Sequence, residues 1–308
     1  MREAPAAAGF DTDAFLARER ARVNAALAAV AEDAVAAAPA PLREPMRYAL
    51  ATPGKRIRPV LCAAAWRAVR GGDAPEAVYR LAAAVEIVHT YSLVHDDLPC
   101  MDDDALRRGR PTVHTVYGNA RAMLAGAALI PAAVRVLDAA ANALALDVET
   151  RRALAIELCR AGGAEGMVGG QLMDLAGEER ELDAAALEDI HRRKTGALLA
   201  ASLRLGGLAA GAEDGALAAL SAYGRHLGLA FQIVDDVLDV TGDAAALGKT
   251  AGKDESAGKA TYPSLFGLDG ARALAESCVA DAISALHAGG IRSVELDALA
   301  RYVVDRTH

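Results

Sequence analysis

The chain has 308 residues, of which 53% are hydrophobic and only 4% aromatic, and its formal net charge is −8. This composition favours helix over sheet, and the negative charge argues against a nucleic-acid-binding protein, which usually has a basic face. The four cysteines form no CxxC pair, so neither a zinc site nor a disulfide framework is indicated, and a reducing cytoplasm fits best.

Apolar residues recur at helical spacing along almost the whole chain and predict an all-α protein. Pro39, Pro41 and Pro45 separate a first amphipathic helix, residues 11–38, from the next helix of the chain. Further helices are expected at residues 58–69, 74–97, 116–141, 150–161, 165–175, 182–206, 215–240, 264–268 continuing through 271–288, and 294–304. No linker or shift in composition marks a boundary, so we expect residues 1–308 to form a single domain.

The segment of residues 241–263 is rich in Gly and Lys, and a loop of this length inside a compact domain is usually functional. We expect it to close when a ligand binds. The N-terminus has no apolar segment typical of a signal peptide. The longest uncharged apolar run, residues 122–134, is too short to span a bilayer, so the sequence predicts a soluble protein with no membrane span.

Two clusters of aspartates interrupt this apolar pattern. The first contains Asp96, Asp97 and Asp102 in HDDLPCMDDD, and the second contains Asp235, Asp236 and Asp239 in FQIVDDVLDV. Carboxylates packed into an apolar stretch repel one another unless a cation offsets their charge. One such cluster is typical of a solvated acidic helix end, but two together favour a metal site, and ligands that are all oxygen favour Mg²⁺.

The two clusters differ in local geometry. Gln232 and the aspartates of the second cluster are three or four residues apart and form one polar stripe on a helix. Asp96 and Asp102 are six residues apart, and a straight helix would point them in different directions. We expect Pro99 to end that helix so that the chain loops back and returns Asp102 toward Asp96.

Three basic segments complement the aspartates: PGKRIRP, LRRGRPT and LGKTAGKDESAGKATYP. Each alone is typical of a solvated surface, but each borders Gly or Pro, and Arg is well suited to bidentate binding of phosphate. A further candidate set is His191, Lys194 and Thr195 in IHRRKTGALL. Combined with carboxylates that hold metal, these segments predict a site for two polyphosphate groups, one held through Mg²⁺ and one held by basic side chains.

These motifs, in this order and with GMVGGQLMDL between them, resemble the trans-isoprenyl diphosphate synthases, or polyprenyl synthetases, over nearly the whole chain. The resemblance implies a bundle of long antiparallel helices around a central cavity, a homodimer, and head-to-tail condensation of an allylic diphosphate (dimethylallyl or geranyl) with isopentenyl diphosphate. It also implies that three Mg²⁺ ions are held by Asp96, Asp97, Asp102, Asp235 and Asp239.

The resemblance further assigns the residues that bind the two substrates. The allylic diphosphate is expected to contact Arg107, Lys194, Thr195, Gln232, Lys249 and Lys259. Isopentenyl diphosphate is expected to contact Lys55, Arg58, His89 and Arg108, with Arg56 as a helper. Asp96, Asp97, Asp102, Arg107, Lys194, Asp235 and Lys249 are the expected catalytic residues, because together they withdraw the diphosphate leaving group.

Product length is expected to depend on Tyr91 and Ser92, just before Asp96, where family members set the floor of the cavity. A bulky ring at Tyr91 resembles the enzymes that make farnesyl diphosphate, and geranylgeranyl diphosphate is the alternative. A terpene cyclase would need only one diphosphate site, whereas the basic segments predict two. A non-catalytic partner subunit is the remaining alternative, and the intact aspartates argue against it.

Overall fold

The computed structural model describes residues 9–177, 182–241 and 260–306. Its helices, in chain order, are α1 (Thr12–Val35), α2 (Ala40–Leu50), α3 (Ile57–Arg70), α4 (Glu76–Asp96), α5 (Val113–Tyr117), α6 (Asn119–Ala143), α7 (Val148–Gly162), α8 (Met167–Gly177), α9 (Ala184–His191), α10 (Ala197–Ala209), α11 (Asp214–Thr241), α12 (Tyr262–Ala288) and α13 (Val294–Asp305). Two short antiparallel strands, β1 (Leu106–Arg107) and β2 (Arg110–Pro111), form a hairpin after α4. The predicted all-α class is confirmed.

The three prolines do follow the first helix, but no helix was predicted between residues 38 and 58, where α2 contains Pro41 and Pro45. Pro41 lies in the first turn of α2, where its missing N–H would have no partner within the helix. Pro45 lies inside the helix and is buried, and the apolar face around Met46 and Leu50 packs into the core. Packing of that face offsets the backbone bond lost at Pro45.

Three predicted helices are interrupted in the structure. The stretch 182–206 is divided by a π-helical turn, Arg192–Gly196, between α9 and α10. Gly118, with φ +85°, separates α5 from α6, and Gly267, with φ +71°, kinks α12. A positive φ strains residues that carry a Cβ, which is why glycine occupies both breaks. At the ends of the predicted loop 241–263, Thr241 is the last residue of α11 and Tyr262 is the first of α12, while residues 242–259 lie outside the described residues.

The core lies around α4, which is buried on nearly every side from Leu81 to Val88. One apolar cluster joins α4 to α6 and α10, and a second joins α3, α11, α12 and α13. The aspartates at the ends of α4 and α11 lie where these two clusters leave an open cavity.

Helix α6 carries an exposed apolar stripe that includes Met123, Leu124 and Ile130. Contrary to the sequence-based expectation, α6 is long and apolar enough to cross a membrane by length and composition alone, although 44% of its most apolar stretch is buried within the fold. Core helices of soluble proteins pass the same test, so this observation is weak evidence for a membrane span.

Candidate active site

A cavity of about 730 Å³ lies between α3, α4, α8, the π-helical turn and α11. Residues that the sequence predicted to form the site line it together, although they come from segments far apart in the chain. They are Lys55, Arg58, His89, Tyr91, Ser92, Asp96, Arg107, Arg108, Lys194, Thr195 and Asp235.

The first aspartate cluster has the broken geometry that Pro99 predicts. Helix α4 ends at Asp96, and the loop after it returns so that the Asp102 amide donates to the Asp96 carbonyl oxygen at 2.8 Å. Asp96 lines the cavity, whereas the buried Asp97 carboxylate accepts a hydrogen bond from Arg107 Nε. Arg107 also lies 3.2 Å from Asp104, so it bridges the loop back to the end of α4.

Burial raises the pKa of Asp96 to about 6. Lys194 opposes this shift, while the negative charges of Asp102 and Asp97 add to it. Burial likewise raises the pKa of Asp97, against the opposing charge of Arg107. Burial and the neighbouring negative charges therefore disfavour the ionised form of these carboxylates, and a cation would stabilise it.

The aspartates of the second cluster differ in burial and in their hydrogen bonds. Asp235 faces the cavity, with 43% of its side chain exposed. The Asp236 carboxylate is buried and accepts hydrogen bonds from Gln232 Nε2 and from the Tyr262 amide, both at 3.0 Å. It thus joins α11 to the start of α12. Asp239, one turn further on, is buried with 3% exposure.

Within residues 9–177, 182–241 and 260–306, no group of three or more His, Cys, Asp or Glu side chains could hold a metal ion by itself. The carboxylates that line the cavity nevertheless include Asp96 and Asp235, and Mg²⁺ prefers carboxylate ligands. Mg²⁺ commonly binds through one or two carboxylates and completes its coordination with water and substrate phosphates. The residues present fit that mode of binding, because the raised pKa of Asp96 marks a carboxylate that a cation would stabilise.

Basic side chains line the same cavity. Gly54 allows the Arg108 guanidinium to approach, because a Cβ at this position would lie 2.4 Å from Arg108 Nη1. Arg108 Nη1 donates to the Pro53 carbonyl oxygen at 2.5 Å, which holds β1 and β2 against the segment before α3. Burial lowers the pKa of Lys55, with Arg306 contributing, and a nearby anion would relieve the repulsion between these cations.

His89 and Arg56 differ in what they can offer a ligand. Burial lowers the pKa of His89 well below its ordinary value, and the cations of Arg58 and Arg108 lower it further. His89 is therefore a neutral imidazole near pH 7. Arg56 has a left-handed backbone, with φ +56°, and its guanidinium binds Glu86 at 2.6 Å as well as Asn24 and the Thr52 carbonyl. These bonds make Arg56 a support for the wall.

The π-helical turn presents Lys194 and Thr195 to the cavity. Lys194 Nζ lies 2.6 Å from an Asp174 carboxylate oxygen on α8, and Thr195 Oγ1 donates to Gln232 Oε1 at 3.0 Å. π-helical turns of this kind are frequent at functional sites. The sequence suggested this position through its Lys and Thr but predicted a continuous helix.

The predicted product-length residues lie on α4 beside the cavity. The Tyr91 hydroxyl donates to the Gly162 carbonyl oxygen at 2.7 Å, so the ring is tied to the end of α7. The Ser92 hydroxyl is bound within its own helix, to the His89 carbonyl oxygen at 2.9 Å. Two predicted ligands of the allylic diphosphate, Lys249 and Lys259, lie outside the described residues.

Gln171, Phe231 and Arg306 line the cavity, and Asp174 binds the cavity residue Lys194, yet none of these has a role in the sequence-based prediction of the site. Gln171 and Asp174 belong to the GGQLMD motif, which contributed only to the family resemblance. Arg306 is third from the end of the chain, and nothing local in the sequence links it to Asp235. Its position results from the docking of α13 against α11.

The chain is similar in sequence to proteins of known family. The family model described as Polyprenyl synthetase matches residues 39–287. The chain is 46% identical to the farnesyl diphosphate synthase of Escherichia coli over 86% of this chain and 89% of that protein. It is 44% identical to geranylgeranyl pyrophosphate synthase 9, chloroplastic, of Arabidopsis thaliana, over 96% and 82% of the two chains.

A solved structure shows the same architecture. The geranyltransferase from Helicobacter pylori complexed with magnesium and isoprenyl diphosphate superposes with a TM-score of 0.78 at 29% sequence identity. The match covers 96% of this chain and 97% of that one.

Proposed function

The chain belongs to the polyprenyl synthetase family, and we propose that it condenses isopentenyl diphosphate head to tail with dimethylallyl or geranyl diphosphate and releases farnesyl diphosphate. Relatives named as farnesyl and geranylgeranyl synthases at 44–46% identity make it a prenyltransferase that forms a short-chain prenyl diphosphate. The proposal of a farnesyl product rests on Tyr91, whose ring lies beside the cavity and is tied to Gly162.

The observation that carries the two-substrate reaction is the number of basic side chains in the cavity. Asp96 and Asp235 line it together with Lys55, Arg58, Arg107, Arg108 and Lys194, so one cavity holds carboxylates and more cations than a single metal-bound diphosphate would use. A single diphosphate held through metal would need only the carboxylates. The additional basic side chains suit a second diphosphate that is bound directly by side chains.

The reaction depends on charge separation in this cavity. Magnesium, which suits the donor set, would neutralise the leaving diphosphate; we propose three ions, held by Asp96, Asp97, Asp102, Asp235 and Asp239. Lys194 and Arg107 add positive charge at the same end. The bond between C1 and oxygen breaks, and its electron pair leaves with the diphosphate.

The double bond of isopentenyl diphosphate then attacks the allylic cation, and the new cation loses a proton to the departed diphosphate. In this assignment Lys55, Arg58, His89 and Arg108 hold the isopentenyl diphosphate in place. The neutral state of His89 suits it to donate a hydrogen bond without acting as a base. Apolar residues on α8 line the other side of the cavity, where they exclude water from the cation.

Turnover with defined substrates tests this function. The purified protein is incubated with Mg²⁺, isopentenyl diphosphate and, in turn, dimethylallyl, geranyl and farnesyl diphosphate, and the products are separated by chain length. We expect farnesyl diphosphate from the first two, and no product when a chelator removes Mg²⁺. Geranylgeranyl diphosphate as the main product would identify the alternative. Release of diphosphate without isopentenyl diphosphate would identify a cyclase, and no turnover with any substrate a non-catalytic subunit.

We also propose that the enzyme is a cytoplasmic homodimer that pairs through α6. Met123 is 51% exposed, Leu124 54% and Ile130 40%, an apolar stripe that a second copy would cover. Light scattering should give twice the monomer mass, and Met123→Glu combined with Ile130→Glu should shift the protein to monomer. A monomeric parent protein would refute the dimer.

A further inference from the structure

Gln171 is a buried glutamine on α8 whose amide has no hydrogen-bond partner among the described residues. Its side chain is part of the cavity wall, the residue is only 8% exposed, and neither Nε2 nor Oε1 has a partner. Gln232 is the only other glutamine in the chain. Its amide, in contrast, bonds at both ends, to Thr195 and to Asp236.

The backbone fixes Gln171 next to the π-helical turn. A Cβ on the preceding residue, Gly170, would lie 2.3 Å from the Lys194 backbone nitrogen, so α8 contacts the turn directly at this point. One turn further along α8, Asp174 binds Lys194 Nζ at 2.6 Å. Gln171 is therefore held between two close contacts to the segment that carries Lys194 and Thr195.

This position is a boundary between two kinds of cavity wall. On α8 the neighbours of Gln171 that line the cavity are apolar: Met167, Val168, Leu172 and Leu175. The polar side chains of Asp96, Lys194 and Thr195 line the same cavity. An allylic diphosphate with its charged end at the polar groups and its hydrocarbon tail along α8 has its C1–O bond at this boundary.

We propose that Gln171 is a catalytic residue that binds the allylic substrate at its reacting carbon. The amide NH₂ donates to the diphosphate oxygen that departs, and the amide oxygen faces the carbon on which positive charge develops. The neutral amide thus stabilises both the negative charge on the departing oxygen and the positive charge on the carbon, and its packing holds it in place. This assignment rests on the proposed function, since it takes the allylic diphosphate as the ligand.

The missing partners supply the physical argument. A buried amide without hydrogen bonds destabilises the free protein, because it lost its water on folding and gained nothing in exchange. An apolar side chain of the same length would avoid that cost. Residues that break a folding rule without compensation are expected at functional sites, where the ligand supplies the missing bonds.

Gln171→Met tests the proposal, since methionine has nearly the same length and volume but no amide. We expect the melting temperature of the free variant to equal or exceed that of the parent protein. We expect kcat/KM for the allylic diphosphate to fall about 100-fold, with KM for isopentenyl diphosphate unchanged. Gln232→Met is the matched control: it removes the hydrogen bonds of the Gln232 amide to Thr195 and Asp236 and should lower the melting temperature.

Two results would overturn the proposal. One is a kcat/KM for the allylic diphosphate within threefold of the parent value. The other is a melting temperature for Gln171→Met that falls as far as that of Gln232→Met, which would identify a structural amide.

A titration with dimethylallyl thiolodiphosphate and Mg²⁺, followed by thermal shift, measures binding of the allylic substrate without requiring turnover. We expect the variant to bind this unreactive analogue about tenfold more weakly than the parent, and equal affinity would count against Gln171. If the parent protein has no turnover with any allylic substrate, the proposed function fails, while this titration still decides whether Gln171 contacts the allylic diphosphate.

Discussion

The guanidinium of Arg306 lies 2.6 Å from a carboxylate oxygen of Asp235, a residue predicted to hold Mg²⁺. The same guanidinium lies 3.8 Å from the centre of the Phe231 ring and donates to the Phe231 carbonyl oxygen at 2.7 Å. Only 3% of the Arg306 side chain is exposed. In the free protein, therefore, the Arg306 guanidinium already neutralises a carboxylate of the cluster that is predicted to bind metal.

Arg306→Gln should consequently strengthen the binding of Mg²⁺ to the protein in the absence of substrate. The metal and the guanidinium compete for the same carboxylate, and the variant removes one competitor. An ion pair whose guanidinium is shielded from water is worth about 1–2 kcal/mol, so we expect a gain of about 5- to 30-fold in affinity. Isothermal titration calorimetry measures it.

Arg301→Gln is the control for this prediction, because Arg301 lies on α13, the helix that ends just before Arg306, but is exposed. It should bind Mg²⁺ as the parent protein does. Equal Mg²⁺ affinity in Arg306→Gln and the parent would mean that Asp235 does not take part in metal binding before substrate arrives.

The aspartate clusters show which parts of the site can be predicted from sequence. The return of Asp102 to Asp96 depends on Pro99 between them, and the stripe of α11 depends on helical spacing, so both are local and both were predicted. Residues of the same type can still differ through distant contacts. The Asp236 carboxylate accepts hydrogen bonds from Gln232 and from the Tyr262 amide, 26 residues later, and no local pattern distinguishes Asp236 from Asp235.

The unpredicted parts of the site all depend on contacts between distant segments. Arg306 reaches Asp235 across 71 residues, and Gly170 approaches Lys194 across 24. Contacts between distant segments also explain why α2 was not predicted. Pro45 is tolerated inside this helix because the apolar face of the helix is buried against the rest of the protein. Helical periodicity predicts which face of a helix is buried, but it does not identify the helix that covers it.

Tyr91→Ala should lengthen the product. Removing the ring opens space beside the cavity toward Gly162, to which the hydroxyl is now bonded. Chromatography of the products from dimethylallyl diphosphate and isopentenyl diphosphate should show geranylgeranyl diphosphate or longer chains in place of farnesyl diphosphate. Tyr91→Phe keeps the ring and should keep the parent product. An unchanged chain length in Tyr91→Ala would show that the ring does not limit growth.

Gly170→Ala should disrupt the site through the backbone. Its Cβ would lie 2.3 Å from the Lys194 nitrogen, and only a movement of α8 away from the π-helical turn can relieve that overlap. We expect a loss of about 1–3 kcal/mol in the free energy of unfolding and a fall in kcat of about 100-fold, because Lys194 moves relative to the substrate. Urea denaturation and steady-state kinetics measure the two effects.

Gly215→Ala is the matched substitution for that experiment. Gly215 lies near the start of α11, and a Cβ there would meet nothing within 4 Å. Because alanine favours helix more than glycine does, this variant should be as stable as the parent or more stable by up to about 1 kcal/mol. Parent-like stability and kcat in Gly170→Ala would show that α8 can shift without affecting Lys194.

His191 should make the protein less stable in acid. It is buried with 8% exposure next to the Tyr262 ring, and burial lowers its pKa to about 4, with Asp174 opposing the shift and Lys194 adding to it. In the unfolded chain its pKa returns to about 6.5. Between these values the unfolded state binds the proton and the folded state does not, so the free energy of unfolding falls as pH decreases from about 6.5 to about 4.

From pH 6.5 to pH 4.5 this one group should remove about 2 kcal/mol. His191→Phe keeps a ring of similar shape and removes the titration, so its free energy of unfolding in urea should fall by about 2 kcal/mol less than that of the parent over the same interval. An NMR titration of the His191 ring in the folded parent protein should give a midpoint near pH 4. A midpoint near 6.5, or equal acid sensitivity in the two proteins, would mean that the imidazole is hydrated in the folded state.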